Sequence, residues 1–372
     1  MKSLLILGHG QLGLMMAAEA AQLGLTVDRI DMQTGELLQG TSARRLVVDV
    51  DSLLSHYDVV TAEIEHLPHS EWLERIYASP KWINAQAFSV LPDRLTQKRL
   101  LDKLAVPTAP WLSLNTPADL AVAQSQLGES LVIKATTGGY DGKGQWRIGG
   151  DDASPIPEQM YGQLIAEQKI PFQRELSVVG ARDRNGQCYF FPLTENVHYR
   201  GILRYSLATT VVDADLQQQA EQGLARIMAE LDFVGVMAME CFVTSAGLLV
   251  NELAPRVHNS GHWTQLGASH NQFALQVLAV LGLPFPRQQL CKATIMLNLI
   301  GCEFEPGCLA LPGIEYHWYG KEVREGRKLG HINIAANNAE ELTGYINHLL
   351  PLLDSEHQAL LQEAHSLWQQ RV

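Results

Sequence analysis

Short apolar runs alternate with longer amphipathic stretches through the first 90 residues of the chain. SLLILG, LTVDRID, RLVVDV and YDVVTAEIE have the composition of strands, whereas LGLMMAAEAAQLG repeats its apolar residues at helical spacing. Strands that alternate with helical connections predict a parallel, Rossmann-like sheet. Ligands of such sheets bind at the carboxyl ends of the strands, where Glu63 and Glu65 stand. A helix-capping or solvated position is the alternative for either glutamate.

A different pattern begins after residue 92. DRLTQKRLLDKL, residues 93–104, is amphipathic, and its basic pair Arg94 and Lys98 is typical of a solvated helix face. Beyond a proline-bearing connector, TPADLAVAQSQL predicts a helix, and LVIK predicts a strand that ends at Lys134. The backbone of the glycine-rich TTGGYDGKGQW that follows can approach a phosphate closely. With Lys134 and Lys143 this loop predicts phosphate contact, and a plain glycine-rich hairpin turn is the alternative.

Two glutamates occupy a predicted β-hairpin near residue 245. VGVMAMECFV and LLVNELA are strand-like runs separated by TSAG. If residues 245–247 form a three-residue loop, Glu240 faces Glu252, whereas a two-residue turn would pair Glu240 with Asn251. Opposed carboxylates repel one another, so we expect a cation between them, and Mg²⁺ prefers such oxygen ligands. The alternative is that one glutamate points to solvent.

The rest of the sequence adds two candidate binding elements. LIAEQKI, residues 164–170, predicts a strand, and the strand ELSVVGARD follows it; an edge strand in this part of the chain suits reading of adenine by main-chain groups. The stretch HWYGKEVREGRKLGHINI is rich in turns, and it is a candidate anion clamp, with a solvated hairpin as the alternative. Its basic groups are Lys321, Arg324, Arg327, Lys328 and His331.

The composition limits the functions open to the chain. Its 372 residues are 46% hydrophobic and 18% charged, which is ordinary for a globular protein of two or three domains. A formal net charge of −12 disfavours general binding to a nucleic-acid backbone. The apolar runs are shorter than the about 18 residues that a membrane span needs. Five cysteines without CxxC spacing indicate reduced thiols and a cytoplasmic location.

The ordered set of motifs resembles a known superfamily. GHGQLG at residues 8–13, the strand lysine, the glycine-rich flap, the EQKI strand end and the paired glutamates are together similar to the ATP-grasp pattern. Within that superfamily the chain resembles the 5-(carboxyamino)imidazole ribonucleotide synthases, through GGYDGKGQ, MAMECFV, NELAPRVHNSGHW and YGKEVREGRKLGH. These motifs span residues 8–331, and their conjunction is more specific than any one of them.

The resemblance implies an α/β protein that is α+β in its ATP-binding part. The expected architecture is an ATP-grasp fold with an N-terminal Rossmann-like parallel sheet and a small C-terminal module. We predict a Rossmann-like (pre-ATP-grasp) domain at 1–92, an ATP-grasp domain at 93–290 and a substrate-clamp module at 291–372. A lid subdomain is expected at about 107–175 within the second domain.

The resemblance also implies site residues, position by position. Those implied for ATP are Arg94, Lys134, Gly139, Tyr140, Asp141, Gly142, Lys143, Gly144, Gln145, Glu167, Gln168, Lys169, Ile170, Glu175, His198, Asn251 and Glu252. Those implied for Mg²⁺ are Glu240 and Glu252. Those implied for the ribonucleotide are Gly10, Gln11, Leu12, Glu63, Tyr140, Lys143, Lys321 and Arg327. Those implied for catalysis are Asp141, Lys321 and the bicarbonate neighbours Arg256, His258 and Asn259.

The activity implied is ATP-dependent carboxylation of 5-aminoimidazole ribonucleotide with bicarbonate, through carboxyphosphate, in purine biosynthesis. ATP and Mg²⁺ would be the cofactors, and the family suggests a homodimer with no nucleic-acid or membrane partner. Two departures concern the ribonucleotide phosphate pocket. His9 stands where family members often carry Gly, and Leu14 stands where they often carry Arg.

Three other functions account for part of the motif set. Another ATP-grasp ligase, such as the formate-dependent glycinamide ribonucleotide transformylase, shares the front glycine motif and the paired carboxylates but does not explain GKEVREGRKLGH. A nicotinamide-dependent dehydrogenase explains GxGxxG with Asp31 but leaves the flap and both glutamates unexplained. A non-catalytic ATP-binding regulator leaves the intact Lys134, Glu240 and Glu252 unexplained.

Overall fold

The N-terminal part of the chain is a five-stranded sheet in the order β4-β3-β2-β1-β5. The structure, a computed structural model, describes residues 2–139, 144–150, 154–209, 211, 213–284, 286 and 291–371. The five strands are β1 (Ser3–Leu7), β2 (Thr26–Ile30), β3 (Leu37–Gln39), β4 (Arg45–Leu46) and β5 (Val59–Ala62). Strands β1, β2 and β5 are parallel, as predicted, but β3 and β4 join antiparallel. The prediction is wrong at this edge because residues 31–36 are too short for the crossover that a parallel neighbour requires.

A smaller four-stranded antiparallel sheet follows, in the order β6-β9-β7-β8. Its strands are β6 (Trp111–Leu114), β7 (Leu131–Ala135), β8 (Gln145–Ile148) and β9 (Leu164–Gln168). Alternate residues of β7, Leu131 and Ile133, are fully buried in a core of their own, with Leu114 and Ala123. This sheet is the region predicted as the lid, and its separate core allows it to pack as a unit.

The largest sheet is antiparallel and runs through the second half of the chain, in the order β15-β14-β10-β12-β13-β16-β18-β17, with β11 paired to β10. Its strands are β10 (Arg174–Arg182), β11 (Cys188–Phe190), β12 (Thr194–Tyr199), β13 (Ile202–Ala208), β14 (Gly235–Thr244), β15 (Gly247–Ala254), β16 (Ala293–Ile300), β17 (Ile314–Trp318) and β18 (Lys328–Ala336). Strand β13 pairs with β16, so the C-terminal strands extend the sheet that carries the glutamate hairpin.

Helices pack against all three sheets. The α-helices of the described residues are α1 (Gln11–Gln22), α2 (Val50–Ser55), α3 (Glu71–Tyr77), α4 (Ala85–Val90), α5 (Arg94–Lys103), α6 (Pro117–Leu127), α7 (Ala214–Glu230), α8 (Thr264–Gly267), α9 (Gln272–Leu281), α10 (Ala339–Leu349) and α11 (Ser355–Gln369). Short 3₁₀ turns lie at Glu158–Met160, Asn259–Gly261, Pro306–Ala310 and Leu350–Leu352. Within the described residues, each helix is too short or too polar to cross a membrane.

The main core joins the N-terminal sheet to the large sheet. Met16 and Ala20, one turn apart on α1, pack with Phe273 and Val277, one turn apart on α9. All four side chains are at most 1% exposed, and truncation of Phe273 to Ala is expected to destabilise the fold by about 3–5 kcal/mol. This packing holds the carboxyl ends of β1 and β5 near the large sheet.

Candidate active site

The hairpin of β14 and β15 contains a bulge that decides its chemistry. Thr244 pairs with Gly247, which leaves two residues for the turn, so the predicted three-residue loop is wrong. Glu240 nevertheless pairs with Glu252, as predicted, because Asn251 is an extra residue on β15. The shorter turn and the bulge each shift the pairing by one residue, and the two shifts cancel.

The paired carboxylates differ in the cations that contact them. Burial raises the pKa of Glu240 to about 7; His198 opposes the rise and Glu252 adds to it. Glu252 Oε1 accepts a hydrogen bond from Arg94 Nη2 at 3.1 Å. His258 Nε2 is 3.7 Å from Glu240 Oε1, but burial lowers its pKa well below its ordinary value, so this ring brings no charge. Two carboxylates without a full counter-charge fit Mg²⁺, which takes oxygen ligands.

Strand β10 adds polar side chains to the same face. Ser177 pairs with Glu240, and since side chains alternate along a strand, Glu175 shares their face. His198 Nδ1 on β12 lies 3.0 Å from Glu175 Oε2. Burial lowers the pKa of His198, but the two carboxylates of Glu175 and Glu240 outweigh burial and raise it. The structure therefore brings together Glu175, His198 and the glutamate pair, which the resemblance assigns to one nucleotide site.

Lys134, on the lid strand β7, is buried between two partners. Its Nζ lies 2.8 Å from Glu167 Oε2 and donates to Asn251 Oδ1 at 2.9 Å. The second oxygen of Glu167, Oε1, lies 2.8 Å from Lys98 Nζ. Burial raises the pKa of Glu167, but the two ammonium groups outweigh it and bring the pKa to about 2. Glu167 therefore remains ionised and holds Lys134 beside the bulge at Asn251.

Lys98 is a residue of this cluster that sequence reasoning missed. Arg94 is 9% exposed and Lys98 is 2% exposed, so the predicted solvated helix face is wrong. Leu101, which is fully buried, lies on the same helical stripe, seven and three residues along from the two cations. An apolar residue in line with a basic pair was the available signal that this face turns inward.

Arg94 connects the lid to the glutamate hairpin. Its guanidinium donates to Ala135 O and Gly139 O, each at 3.0 Å, as well as to Glu252. Gly144, with a φ of +67°, leads into β8, whose first residue is Gln145. The other predicted flap residues, Tyr140, Asp141, Gly142 and Lys143, lie outside the described residues.

The predicted adenine hinge lies at the end of β9. Gln168 N–H donates to Pro110 O at 2.9 Å, and Lys169 N–H donates to Ser130 O at 3.1 Å. Neither amide is therefore open to a base. Ile170 N–H has no hydrogen bond to another described residue, which makes it the main-chain donor of this segment that could reach adenine.

The glycine turn before α1 is filled by a side chain of the protein itself. Gly10 N–H and Gly13 N–H donate to the two carboxylate oxygens of Glu63. A Cβ at Gly10 would lie 3.0 Å from Glu63 Oε1, and one at Gly13 would lie 3.1 Å from Oε2. Glu63 therefore occupies the helix N-terminus where a dinucleotide would place its pyrophosphate.

The acidic residue of the dinucleotide alternative is also engaged. Arg45 Nη1 lies 2.5 Å from Asp31 Oδ2, and Gln33 N–H donates to Asp31 Oδ1 at 2.9 Å. These contacts and Glu63 leave the nicotinamide alternative without its binding groups. Gln11 and Leu12, predicted to contact the ribonucleotide, are the first residues of α1 and are half-buried.

Part of the basic stretch in the C-terminal module approaches this turn. Lys321 is half-buried, and burial lowers its pKa. The charges of Arg327 and Lys328 lower this pKa further, whereas the charge of Glu63 raises it. Lys321 Nζ lies 5.3 Å from the centre of the Tyr319 ring. Arg327, Lys328 and Glu63 are thus close enough to Lys321 to act on its pKa. The anion clamp next to the glycine turn stays a prediction.

His331 does not belong to that clamp. It is fully buried, with Nδ1 2.7 Å from Tyr319 OH and Nε2 2.9 Å from Gln265 Oε1. Its ring stacks on His317 with centroids 4.4 Å apart. Burial holds the pKa of His331 well below its ordinary value, so the prediction that it adds positive charge is wrong. Arg324 is exposed and pairs with Glu322 at 2.5 Å.

Arg256, His258 and Asn259 lie together after β15. Arg256 forms an ion pair with Glu65, the second glutamate at the end of the N-terminal sheet. His258 Nδ1 lies 2.9 Å from Ser260 Oγ. Both side-chain amide atoms of Asn259 are buried without a hydrogen-bond partner among the described residues. A buried amide left in this way indicates a place for a polar ligand.

Known proteins are similar to this chain over nearly its whole length. The model of the ribonucleotide synthetase preATP-grasp domain matches residues 1–90, the ATP-grasp domain matches 99–273, and the phosphoribosylaminoimidazole carboxylase C-terminal domain matches 294–344. The N5-carboxyaminoimidazole ribonucleotide synthase of Escherichia coli (strain K12) is 44% identical over 357 residues, which cover 96% of this chain and 97% of that protein. The chain belongs to the N5-carboxyaminoimidazole ribonucleotide synthase family.

Solved structures of N5-carboxyaminoimidazole ribonucleotide synthases have the same fold. The Thermus thermophilus synthetase matches with a TM-score of 0.83 at 36% identity, covering 95% of this chain and 99% of its own. The Aspergillus clavatus synthase, in complex with ADP and 5-aminoimidazole ribonucleotide, matches with a TM-score of 0.79 at 29% identity, covering 95% and 98%. The prediction of an α/β protein with an ATP-grasp fold is confirmed.

One further cluster in this N5-carboxyaminoimidazole ribonucleotide synthase family member has potential metal-binding groups. Among the described residues, Cys302, Asp354 and His357 place one ligand atom each within 4.8 Å of the others. His357 Nε2 accepts from Ile300 N–H at 3.1 Å, so the ring proton is on Nδ1, which lies 2.7 Å from Asp354 Oδ2. Both ring nitrogens are engaged, and the cluster is a helix-capping contact of α11.

Proposed function

We propose that the chain carboxylates 5-aminoimidazole ribonucleotide with bicarbonate, using ATP, to form 5-(carboxyamino)imidazole ribonucleotide, ADP and phosphate in purine biosynthesis. The observation that carries the proposal is one cluster that places the facing carboxylates of Glu240 and Glu252 beside Lys134 and Arg94. Carboxylates for a metal beside cations for phosphate oxygens suit a nucleoside triphosphate. Membership of this family supports the choice of acceptor.

The first step transfers the γ-phosphoryl group of ATP to bicarbonate. A bicarbonate oxygen attacks the γ-phosphorus, the bond to the bridging oxygen breaks, and ADP leaves. Lys134 and Arg94 bind phosphate oxygens, and Glu175 accepts hydrogen bonds from the ribose hydroxyls. Arg256 and the unpartnered amide of Asn259 hold bicarbonate. Positioning and charge stabilisation supply most of the catalysis in such a transfer.

The carboxylate pair is proposed to hold Mg²⁺. Its donor atoms are Glu240 and Glu252, with Asn251 beside them at the bulge. Mg²⁺ held there would neutralise charge on the phosphates. The protein's own contribution is to keep two carboxylates facing one another with too little positive charge around them, which favours a divalent cation over a water molecule.

The second step transfers the carboxyl group to the exocyclic amine of the ribonucleotide. The amine nitrogen attacks the carboxyl carbon of carboxyphosphate, the carbon–oxygen bond to phosphate breaks, and the amine proton passes to a base. Asp141 is the candidate base, and it lies outside the described residues. Lys321 and Arg327 orient the ribonucleotide from the C-terminal module, opposite Glu63. Carboxyphosphate decomposes in water, so the flap has to exclude solvent.

Three assignments accompany this function. We assign the domains to residues 1–92, 93–290 and 291–372, with the lid at about 107–175. A homodimer is proposed, and sedimentation equilibrium measures it. The cytoplasm is proposed as the location, because all five cysteines are unpaired, as a reducing compartment keeps them.

Release of phosphate from ATP, with each substrate left out in turn, tests the function. We expect release to require 5-aminoimidazole ribonucleotide and bicarbonate for full rate, with one carbamate formed per phosphate. Glycinamide ribonucleotide with formate serves as the control acceptor pair, and it should not stimulate release. Full activity with that pair, or no stimulation by 5-aminoimidazole ribonucleotide, would contradict the assignment.

A further inference from the structure

A chain of buried charged groups leads from helix α5 to the glutamate hairpin. Lys98 Nζ lies 2.8 Å from Glu167 Oε1, and Glu167 Oε2 lies 2.8 Å from Lys134 Nζ. Lys134 donates in turn to Asn251 Oδ1 at 2.9 Å. These contacts link four elements, α5, β9, β7 and β15, around the carboxylate of Glu167.

Thr108 closes the chain of contacts into a ring. Its Oγ1 accepts from Lys98 Nζ and donates to the carbonyl oxygen of Val250 at 2.7 Å. Val250 directly precedes Asn251, the bulge residue that holds Lys134. Both ends of the Lys98–Glu167–Lys134 chain are thus tied to adjacent residues of β15, so a displacement of Lys98 is transmitted to Lys134.

The ring carries an excess of positive charge. Lys98, Glu167 and Lys134 are 2%, 4% and 6% exposed, so solvent screens their charges only weakly. Two ammonium groups and one carboxylate leave one positive charge uncompensated within this group. The ammonium of Lys134 has three N–H groups. Its contacts with Glu167 and Asn251 direct two of them, which fixes the direction of the third.

We propose that Lys98 is a positioning residue for the nucleotide: by holding one oxygen of Glu167, it keeps Lys134 oriented toward the phosphate oxygens of ATP. The inference rests on the proposed use of ATP. Lys98 contacts Glu167 Oε1 and Lys134 contacts Oε2, so Lys98 acts on Lys134 through Glu167, and also through Thr108 and strand β15. Without Lys98, Glu167 can turn both oxygens to Lys134, which then loses its fixed direction and its uncompensated charge.

Replacement of Lys98 by an uncharged residue of similar length tests this role. For Lys98→Met we expect the KM for ATP and the Kd for ADP to rise about tenfold, the size typical when a group that orients a ligand-binding residue is lost. The KM for 5-aminoimidazole ribonucleotide and kcat at saturating ATP should change less than about twofold. Lys98→Arg, which keeps the positive charge, should recover part of the lost affinity.

Lys103→Met is the matched control. Lys103 is on the same helix, its side chain is 66% exposed, and it pairs with Glu230 at 2.6 Å. Both substitutions remove one lysine charge from α5, but only Lys98 is part of the ring. The control should have the wild-type KM for ATP and the wild-type Kd for ADP.

Thr108→Val tests the ring without removing a charge, and it serves if Lys98→Met does not fold. Loss of the hydroxyl that accepts from Lys98 should raise the KM for ATP about threefold and leave kcat unchanged. A wild-type KM in this variant would contradict the transmission of position around the ring.

Two outcomes would overturn the proposal. One is a Lys98→Met enzyme whose KM for ATP and Kd for ADP equal those of Lys103→Met. The other is an equal loss of affinity for every substrate, accompanied by a fall in kcat. Such a result would indicate general damage to the fold. Titration with ADP requires no carboxylation, so a wild-type enzyme that binds ADP but does not carboxylate contradicts only the proposed function.

Discussion

The side chains of Glu167 and Glu240 are only 5% and 20% exposed, but their pKa values move in opposite directions. Burial raises the pKa of each. Lys98 and Lys134 outweigh burial at Glu167 and bring its pKa to about 2, whereas Glu252 adds to burial at Glu240, whose pKa reaches about 7. The difference therefore comes from neighbouring charge. The protein supplies the counter-ions of Glu167 itself, whereas the proposed Mg²⁺ would be the counter-ion of Glu240.

This contrast separates two uses of a buried carboxylate. Glu167 has its charge satisfied within the fold, so it fixes the positions of other groups. Glu240 and Glu252 keep an uncompensated charge, which destabilises the free protein and favours cation binding. Substitutions that remove either charge should consequently change stability in opposite directions, and the predictions below run from the largest effect to the smallest.

Loss of the second proposed metal ligand should have the largest effect. Glu252→Gln keeps the shape of the side chain but removes its charge, and we expect kcat to fall about 10³-fold, as when a group that stabilises transition-state charge is lost. The fold should remain intact. Phosphate release measured over a range of Mg²⁺ checks this, with Glu230→Gln on α7 as the control. Near wild-type turnover at low Mg²⁺ would contradict the metal role.

Removal of the satisfied carboxylate should destabilise the fold. Glu167→Gln leaves Lys98 and Lys134 buried without their shared partner, and breaking a buried pair costs about 3–5 kcal/mol of unfolding free energy. Because the folded pKa lies below the ordinary 4.5, the stability from Glu167 is complete above pH 4.5 and is lost as the pH falls toward 2. Urea unfolding at pH 7 measures the loss. An unchanged free energy of unfolding would contradict the claim that the charge of Glu167, unlike that of Glu240, stabilises the fold.

Removal of the Glu240 carboxylate, whose charge is not compensated, should stabilise the fold. The folded pKa of Glu240, about 7, lies above the ordinary 4.5, so stability falls as the pH rises between these values. In metal-free buffer at pH 8, Glu240→Gln should therefore be more stable than the wild type by about 2 kcal/mol, while losing activity. Near pH 5 the gain should be small. An equal gain in stability at both pH values would show that the charge of Glu240 does not cause the gain.

The smallest effect is expected at the bulge. Asn251→Ala removes one of the two partners that orient Lys134 but leaves Glu167 in place. The loss of one charge-assisted hydrogen bond is about 1–2 kcal/mol, which corresponds to a rise of roughly fivefold to thirtyfold in the KM for ATP. Steady-state kinetics at saturating bicarbonate measures it. If Asn251→Ala raises the KM for ATP more than Glu167→Gln does, then Asn251, rather than the carboxylate, is the main determinant of the position of Lys134.

The glutamate hairpin shows how far the sequence could be interpreted. The strands, their antiparallel pairing and the facing of Glu240 and Glu252 follow from the alternation of apolar residues around TSAG. The turn length did not follow, because a two-residue turn with a bulge and a three-residue turn without one give the same pair. A bulge depends on tertiary contacts such as the one from Lys134 to Asn251, which the local pattern does not contain.

The sequence also does not show which charged residues the fold buries. Residue type alone predicts a solvated Lys98 and a cationic His331, but the fold buries both. The GxGxxG turn likewise does not reveal that Glu63, about 50 residues later, fills it. Residue types and spacing predicted which groups meet, but the charge state of each depends on its neighbours in the fold.

Binding of Mn²⁺, a paramagnetic substitute for Mg²⁺, to the enzyme with saturating ADP tests the contrast most directly. Electron paramagnetic resonance measures free Mn²⁺ during titration of the wild type, Glu240→Gln and Glu167→Gln. We predict that the wild type and Glu167→Gln bind Mn²⁺ with similar affinity once ADP is saturating, and that Glu240→Gln binds it at least about tenfold more weakly. Wild-type affinity in Glu240→Gln would contradict the account.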